Sequence, residues 1–174
     1  MKVAIDIGHA NRTGACGNGY EEHYVCAVLA GKVKGFLESY RLKAEVIDFP
    51  ERDNNGDLAA TVRAINAGGY DVSVSLHMDW DDDPRAHGAH VCYYSAKGKR
   101  LADEIAGRLC PQMPGRAEKT VRRPGLYVLR ETRPVAVLVE CGFISNEGDA
   151  EWVHAHADEV ARAIALGIAA YKED

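Results

Sequence analysis

The chain has 174 residues with a formal net charge of -5, and 47% of them are hydrophobic against 27% charged. That length fits a single domain, and a domain of this size buries roughly 70% of its unfolded surface, enough for a core without disulfide staples. The composition excludes disorder, collagen-like repeats and coiled coil, and the acidic balance does not suggest the broad nucleic-acid affinity that a basic face gives.

No apolar run approaches the roughly 18 residues of a membrane span, so no membrane insertion is expected. The segment Met1–Ile7, interrupted by Asp6, reads as a first strand and not as the apolar stretch of a signal peptide. Val3–Ile7 is the first strand candidate, followed by Gly8-His9. From Glu21 to Leu37 the apolar residues Val25, Leu29, Val33 and Leu37 recur at helical spacing. Ala44–Ile47 is a second strand. Asn55-Gly56-Asp57 then opens a helix carrying Leu58, Val62 and Ile65, which stops at Gly68-Gly69.

Asp71–Leu76 predicts a third strand ending at His77, and the acidic stretch Asp79–Pro84 a loop. Ala89–Tyr94 is the fourth strand, with Ser95 as the cap of a helix bearing Leu101, Ile105 and Leu109. Pro111–Gly125, rich in Pro, Gly and basic residues, predicts a loop or partly ordered insertion, and Gly125–Leu129 a short strand. Val135–Val139 is continuously apolar, as expected of a strand covered on both faces. Asp158–Tyr171 places Val160, Ile164 and Ile168 on one helical face. No linker or repeat divides the chain. The expectation is a single α/β domain spanning residues 1–174: a mostly parallel twisted sheet flanked by helices on both faces.

Three strand candidates run into an ionisable residue: His9, His77 and Glu140. Open α/β sheets bind ligands at the carboxyl ends of their strands, so an active site is expected there, with the three residues in one crevice. Glu22 falls in the first turn of the helix after the first strand. Two imidazoles and a carboxylate are a ligand set for catalytic zinc, and a second carboxylate can move a proton beside it. Taken singly, His9 also reads as a loop residue, His77 as a half-buried histidine and Glu22 as a helix N-terminal carboxylate favoured by the dipole. Glu140 is harder to explain away, because a carboxylate closing an apolar run is costly to bury.

The segments IDIGHANRTGACGNGYEEH, SVSLHMDW and PVAVLVECGFISN resemble the signatures of the zinc-dependent N-acetylmuramoyl-L-alanine amidases of the Amidase_3 type. GAHVCYYS and LYVLRETRPVAVLVE are similar to further strands of that family, so the resemblance covers almost the whole chain. It implies one zinc per chain held by His9, Glu22 and His77, with Glu140 as the catalytic glutamate. Glu21 competes for the glutamate position. The family pattern of glycine, two variable residues and glutamate before a helix favours Glu22 in Gly19-Tyr20-Glu21-Glu22.

The implied substrate is peptidoglycan or a muropeptide, cut between N-acetylmuramic acid and L-alanine. A zinc hydrolase of another small amide or peptide is the alternative, and a non-catalytic wall-binding module a more distant one. Met78-Asp79 and His90 depart from residues the family commonly carries there, which bears on the cleft and its substrate preference. Among the basic residues Arg116, Lys119, Arg122 and Arg123, Arg122 and Arg123 are candidates to bind stem-peptide carboxylates. Asp79–Asp83 could line the cleft, or be a solvated loop. Pro111–Gly125 is too short and too rich in Pro and Gly for an autoinhibitory helix, and no wall-binding repeat is expected after the domain.

The five cysteines are odd in number and lack CxxC spacing, so free thiols are expected, with Cys141 in the core on the side of its strand opposite Glu140. A cell-wall substrate and a start directly at a strand imply cytoplasmic synthesis. Release would follow through a phage pore, non-classical export or removal of a leader.

Overall fold

The computed structural model describes residues 1–10 and 12–172, so Asn11 of the first motif lies outside it. A six-stranded sheet forms the centre. Its strands in chain order are β1 (Lys2–Ile7), β4 (Lys43–Ile47), β5 (Val72–Asp79), β6 (His90–Tyr93), β7 (Thr120–Arg122) and β8 (Val135–Phe143). Between β1 and β4 lie a two-stranded ribbon, β2 (Cys16–Gly17) and β3 (Tyr20–Glu21), and helix α1 (Glu22–Ser39). The remaining helices are α2 (Asn54–Ala67), α3 (Ala96–Leu109), α4 (Tyr127–Glu131), α5 (Glu147–Ala155) and α6 (Ala157–Ala170).

Across the sheet the order is β4-β1-β5-β8-β6-β7. β4, β1, β5 and β8 are mutually parallel, β6 runs antiparallel to β8, and β7 follows β6 in parallel. The expected mostly parallel α/β architecture is the observed one.

Alternation along the strands sorts side chains to two unequal faces. Val3, Ile5 and Ile7 of β1, with Val137, Val139 and Cys141 of β8, join the large core under α1, α3 and α6. Cys141 thus lies in the core, and the five cysteines are free. On the opposite face the core is thin. Ala136 and Leu138 meet Val62 of α2 and Val128 and Leu129 of α4, while Ala4 meets Ile65 and Tyr70. Toward the carboxyl ends of the parallel strands this second face turns polar, with Asp6, Ser75 and His90 all buried.

Side-chain caps set several helix starts. Asp53 accepts from Gly56 N at 2.7 Å, Ser95 from Gly98 N at 3.0 Å, and Asn146 from Asp149 N at 3.0 Å. The last cap begins α5, a helix the apolar spacing does not reveal.

Three sequence expectations need correction. β5 and β8 continue through His77 and Glu140 to Asp79 and Phe143, because the backbone ladder persists after the apolar run ends. Gly125–Leu129 is not a strand: Tyr127–Glu131 form one short helix whose Val128 and Leu129 cover the sheet. Short apolar runs read alike in both states. Within the expected loop Pro111–Gly125, Thr120–Arg122 form edge strand β7, too brief to show an alternation.

Asp149 ties the end of β8 to the loop before β6. Its Oδ2 accepts from Gly88 N at 2.7 Å and Phe143 N at 2.9 Å, both buried. Asp149→Ala would strand two buried amides and should cost about 3 kcal/mol, read as a lowered urea midpoint with an unchanged slope.

Candidate metal centre and cleft

Directly after β1, Gly8 N donates to Leu76 O at 2.9 Å, and His9 adopts a left-handed backbone with φ +63°. That conformation is strained for a residue with a side chain, and such strain concentrates at functional sites. Gly8 must lack a side chain, because a Cβ there would lie 2.3 Å from Cε1 of His77. Gly14 is constrained in the same way, with Glu22 Oε2 at 2.8 Å from its would-be Cβ.

Glu22 opens α1 and is 2% exposed. Its Oε2 accepts from Ala15 N at 2.8 Å and lies 3.4 Å from Nε2 of His9. Its Oε1 accepts from Met78 N at 3.1 Å and lies 3.0 Å from Nδ1 of His77. Burial works to raise the carboxyl's pKa, but the hydrogen bond and charge of His77, the charge of His9 and the Ala15 amide hold it below the usual range. Burial likewise works to lower His77. The Glu22 hydrogen bond and the charges of Glu140, Glu22 and Asp6 overcome it and raise His77 to about 9. Glu21 points elsewhere, accepting from Arg12 N at 2.5 Å.

His9, Glu22 and His77 each offer a ligand atom within 4.8 Å of the others. A tetrahedral zinc with bonds of about 2.0–2.1 Å spaces its ligand atoms about 3.3 Å apart. Glu22 faces one imidazole with each oxygen, at 3.0 Å to His77 and 3.4 Å to His9, so all three side chains converge on one point. The field that holds a proton on His77 is also one that attracts a cation.

Beside this cluster a polar row crosses three strands. His77 of β5 is the register partner of Glu140 in β8, which is in turn the partner of His90 in β6. Partners in adjacent strands share a sheet face, so the row lies on the α2/α4 side. Burial pushes Glu140 up to about 8 despite the opposing charge of His77, and its Oε2 is buried without a hydrogen-bond partner. Burial, with the charges of Arg116 and Arg123, lowers His90 to about 4, so this imidazole stays neutral. Its Nε2 is 3.8 Å from Asp79 Oδ2.

The sequence offers no motif for His90, because it begins a strand instead of ending one. The reversed direction of β6 is what delivers it to the crevice.

The basic residues divide. Arg123 acts electrostatically on Glu140, Asp79 and His90, and Arg116 on Asp79 and His90. Arg122 instead lies 5.7 Å over the Tyr94 ring. Of the two arginines expected at the substrate, Arg123 is thus the one whose charge reaches Glu140, and Arg116 acts on the same Asp79 and His90. Asp81, Asp82 and Asp83 lie on the exposed loop.

Residues 3–170 match the family model Amidase_3, N-acetylmuramoyl-L-alanine amidase. The chain belongs to that family. LytC of Bacillus subtilis, an N-acetylmuramoyl-L-alanine amidase, is 28% identical over 178 residues, covering 97% of this chain. The chain spans only 35% of the length of LytC. Among solved structures, the catalytic domain of CD27L, an endolysin targeting Clostridia difficile, superposes with a TM-score of 0.91 at 27% identity. That match covers 100% of this chain and 99% of the other. The catalytic domain of CwlV, an amidase from Bacillus (Paenibacillus) polymyxa, follows at 0.86 and 26% identity, covering 98% of each chain.

In this amidase-family chain, crowding at Gly8 gives a test that leaves every candidate ligand in place. Gly8→Ala should push the His77 ring aside and lower zinc affinity by roughly 10- to 100-fold, as loss of a ligand-supporting contact typically does. Metal titration of the folded variant checks it.

Proposed function

We propose that the chain hydrolyses the amide between the lactyl carbonyl of N-acetylmuramic acid and the L-alanine of the peptidoglycan stem. One zinc per chain is held by His9, Glu22 and His77. Bound there, zinc supplies Lewis-acid polarisation of the scissile carbonyl and a lowered pKa for the attacking water. The observation that carries the reading is the His77–Glu140 pairing. It sets a carboxylate oxygen without a partner beside three side chains spaced for a metal.

Glu140 is the general base and then the general acid. It takes a proton from the water as the new C–O bond forms, and returns one to the alanine nitrogen as the C–N bond breaks. Its burial raises the carboxyl's pKa, the direction that lets the base hold the proton and give it back as an acid. His90 stands on the far side of Glu140, neutral, so it adds no competing charge.

Arg116 and Arg123 lie at the β6 side of the crevice. There they attract the carboxylates that stem peptides carry, while Arg122 is turned toward Tyr94. The place of action is the cell wall. Among the described residues no helix is long and apolar enough to cross a membrane.

Two sets of variants test the assignment. Glu22→Gln should weaken zinc binding and Glu21→Gln leave it nearly unchanged, by elemental analysis. The reverse pattern would show that the other glutamate holds the metal. Glu140→Gln should keep its zinc and fold yet lose about 10²–10⁴ in rate, measured by mass spectrometry of released stem peptides. Near-normal turnover by a zinc-loaded Glu140→Gln protein would refute the proton-transfer role.

A further inference from the structure

A cavity of about 140 Å³ lies between α2, α4 and the sheet, and His9 and His77 form part of its wall. Glu140, Arg116 and Arg123 are not among the residues that line it. Its floor carries Leu138 and the hydrogen-bonded pair Asp6–Ser75. Leu58 and Val128 supply apolar walls. Asp57 and Thr61 line it from α2, only 4% and 1% exposed, and neither Asp57 Oδ1 nor Thr61 Oγ1 has a hydrogen-bond partner. Residues four apart share a helix face, so the two groups present themselves together.

Buried polar atoms without partners are costly, and an apolar pocket with a few convergent polar groups is the usual form of a ligand site. We propose that this cavity is the subsite for the 2-acetamido group of the muramoyl residue, a specificity determinant for the amidase reaction on whose assignment it rests. The acetamido group has one N–H, one carbonyl and one methyl. The Asp57 carboxylate oxygen accepts from the N–H, and the Thr61 hydroxyl donates to the carbonyl. The methyl lies against Leu58, Val128 and Leu138.

The size suits a terminal group of this kind, since an engineered protein cavity of about 150 Å³ holds a benzene molecule. The connection is short as well: five bonds join the scissile carbonyl carbon to the acetamido nitrogen, and the cavity borders directly on His9 and His77. The stem peptide fits less well. Its chain continues beyond so small a volume, and its carboxylates would meet Asp57 and Asp6. Tyr127, 41% exposed and also lining the cavity, offers an apolar ring beside which a pyranose can lie.

The test compares kcat/KM of the zinc-loaded protein on a muramoyl tetrapeptide and on the same compound with a neutral 2-hydroxyl in place of the acetamido group. The expected preference for the acetamido substrate is at least about 100-fold, since sites built to hydrogen-bond a group reject analogues lacking it. Thr61→Val should cut that preference roughly tenfold, the worth of one buried hydrogen bond. Thr61→Ser, which keeps the hydroxyl, should retain it, and Val128→Phe, which fills the cavity from its wall, should abolish it.

Equal turnover of both substrates would overturn the subsite and leave the amidase reading standing. So would an undiminished preference in folded Thr61→Val and Val128→Phe, which would mean that water alone serves the two groups. Turnover of neither substrate by the zinc-loaded protein would overturn both readings.

Discussion

A single buried carboxylate organises this molecule. Glu22 accepts backbone hydrogen bonds from Ala15 and Met78 and faces the imidazoles of His9 and His77, joining the first loop, the first helix and strand β5. An ionised carboxylate removed from water is costly unless every oxygen is engaged and positive charge is near. The surrounding geometry meets that demand. Gly8 and Gly14 let the rings and the carboxylate pack onto bare backbone, and His9 accepts a left-handed conformation to close the cluster. A cation between the three side chains would satisfy the same electrostatic requirement.

The sheet divides the remaining work between its faces. The α1/α3/α6 side is filled by aliphatic side chains and supplies stability. The α2/α4 side is thinly packed and polar near the strand ends, where it hosts the row His77, Glu140, His90 and the cavity beside it. Reversal of β6 matters here. A fully parallel sheet would place the start of that strand at the opposite end, away from the crevice. With β6 antiparallel, His90 stands beside Glu140, and the following segment brings Arg116 and Arg123 near enough to act on Asp79. One side of the cleft is thereby basic, and the other carries Asp57 and Asp6.

Much of this was legible in the sequence. The alternation of short β-branched runs with helical spacing determined the α/β class, and the three motifs carrying His9, Glu22, His77 and Glu140 determined the candidate chemistry. These are local signals: periodicity, a cap, a glycine before a histidine. What failed was also local in origin. Five residues at Tyr127–Glu131 and three at Thr120–Arg122 are too few for a period to declare itself, so their state is set by what they cover and pair with.

Only the tertiary structure decided which neighbours the motif residues meet. The direction of β6, the pairing of His77 with Glu140 and of Glu140 with His90, and the turning of Arg122 toward Tyr94 depend on contacts between distant segments. The cavity lined by Asp57 and Thr61 has the same origin, since α2 and α4 cover the sheet incompletely and leave Asp57 Oδ1 and Thr61 Oγ1 without hydrogen-bond partners. Sequence determines a residue's chemistry and its local backbone preference. Register, strand direction and gaps between packed layers are properties of the assembled chain, and here they choose which charges face one another across the cleft.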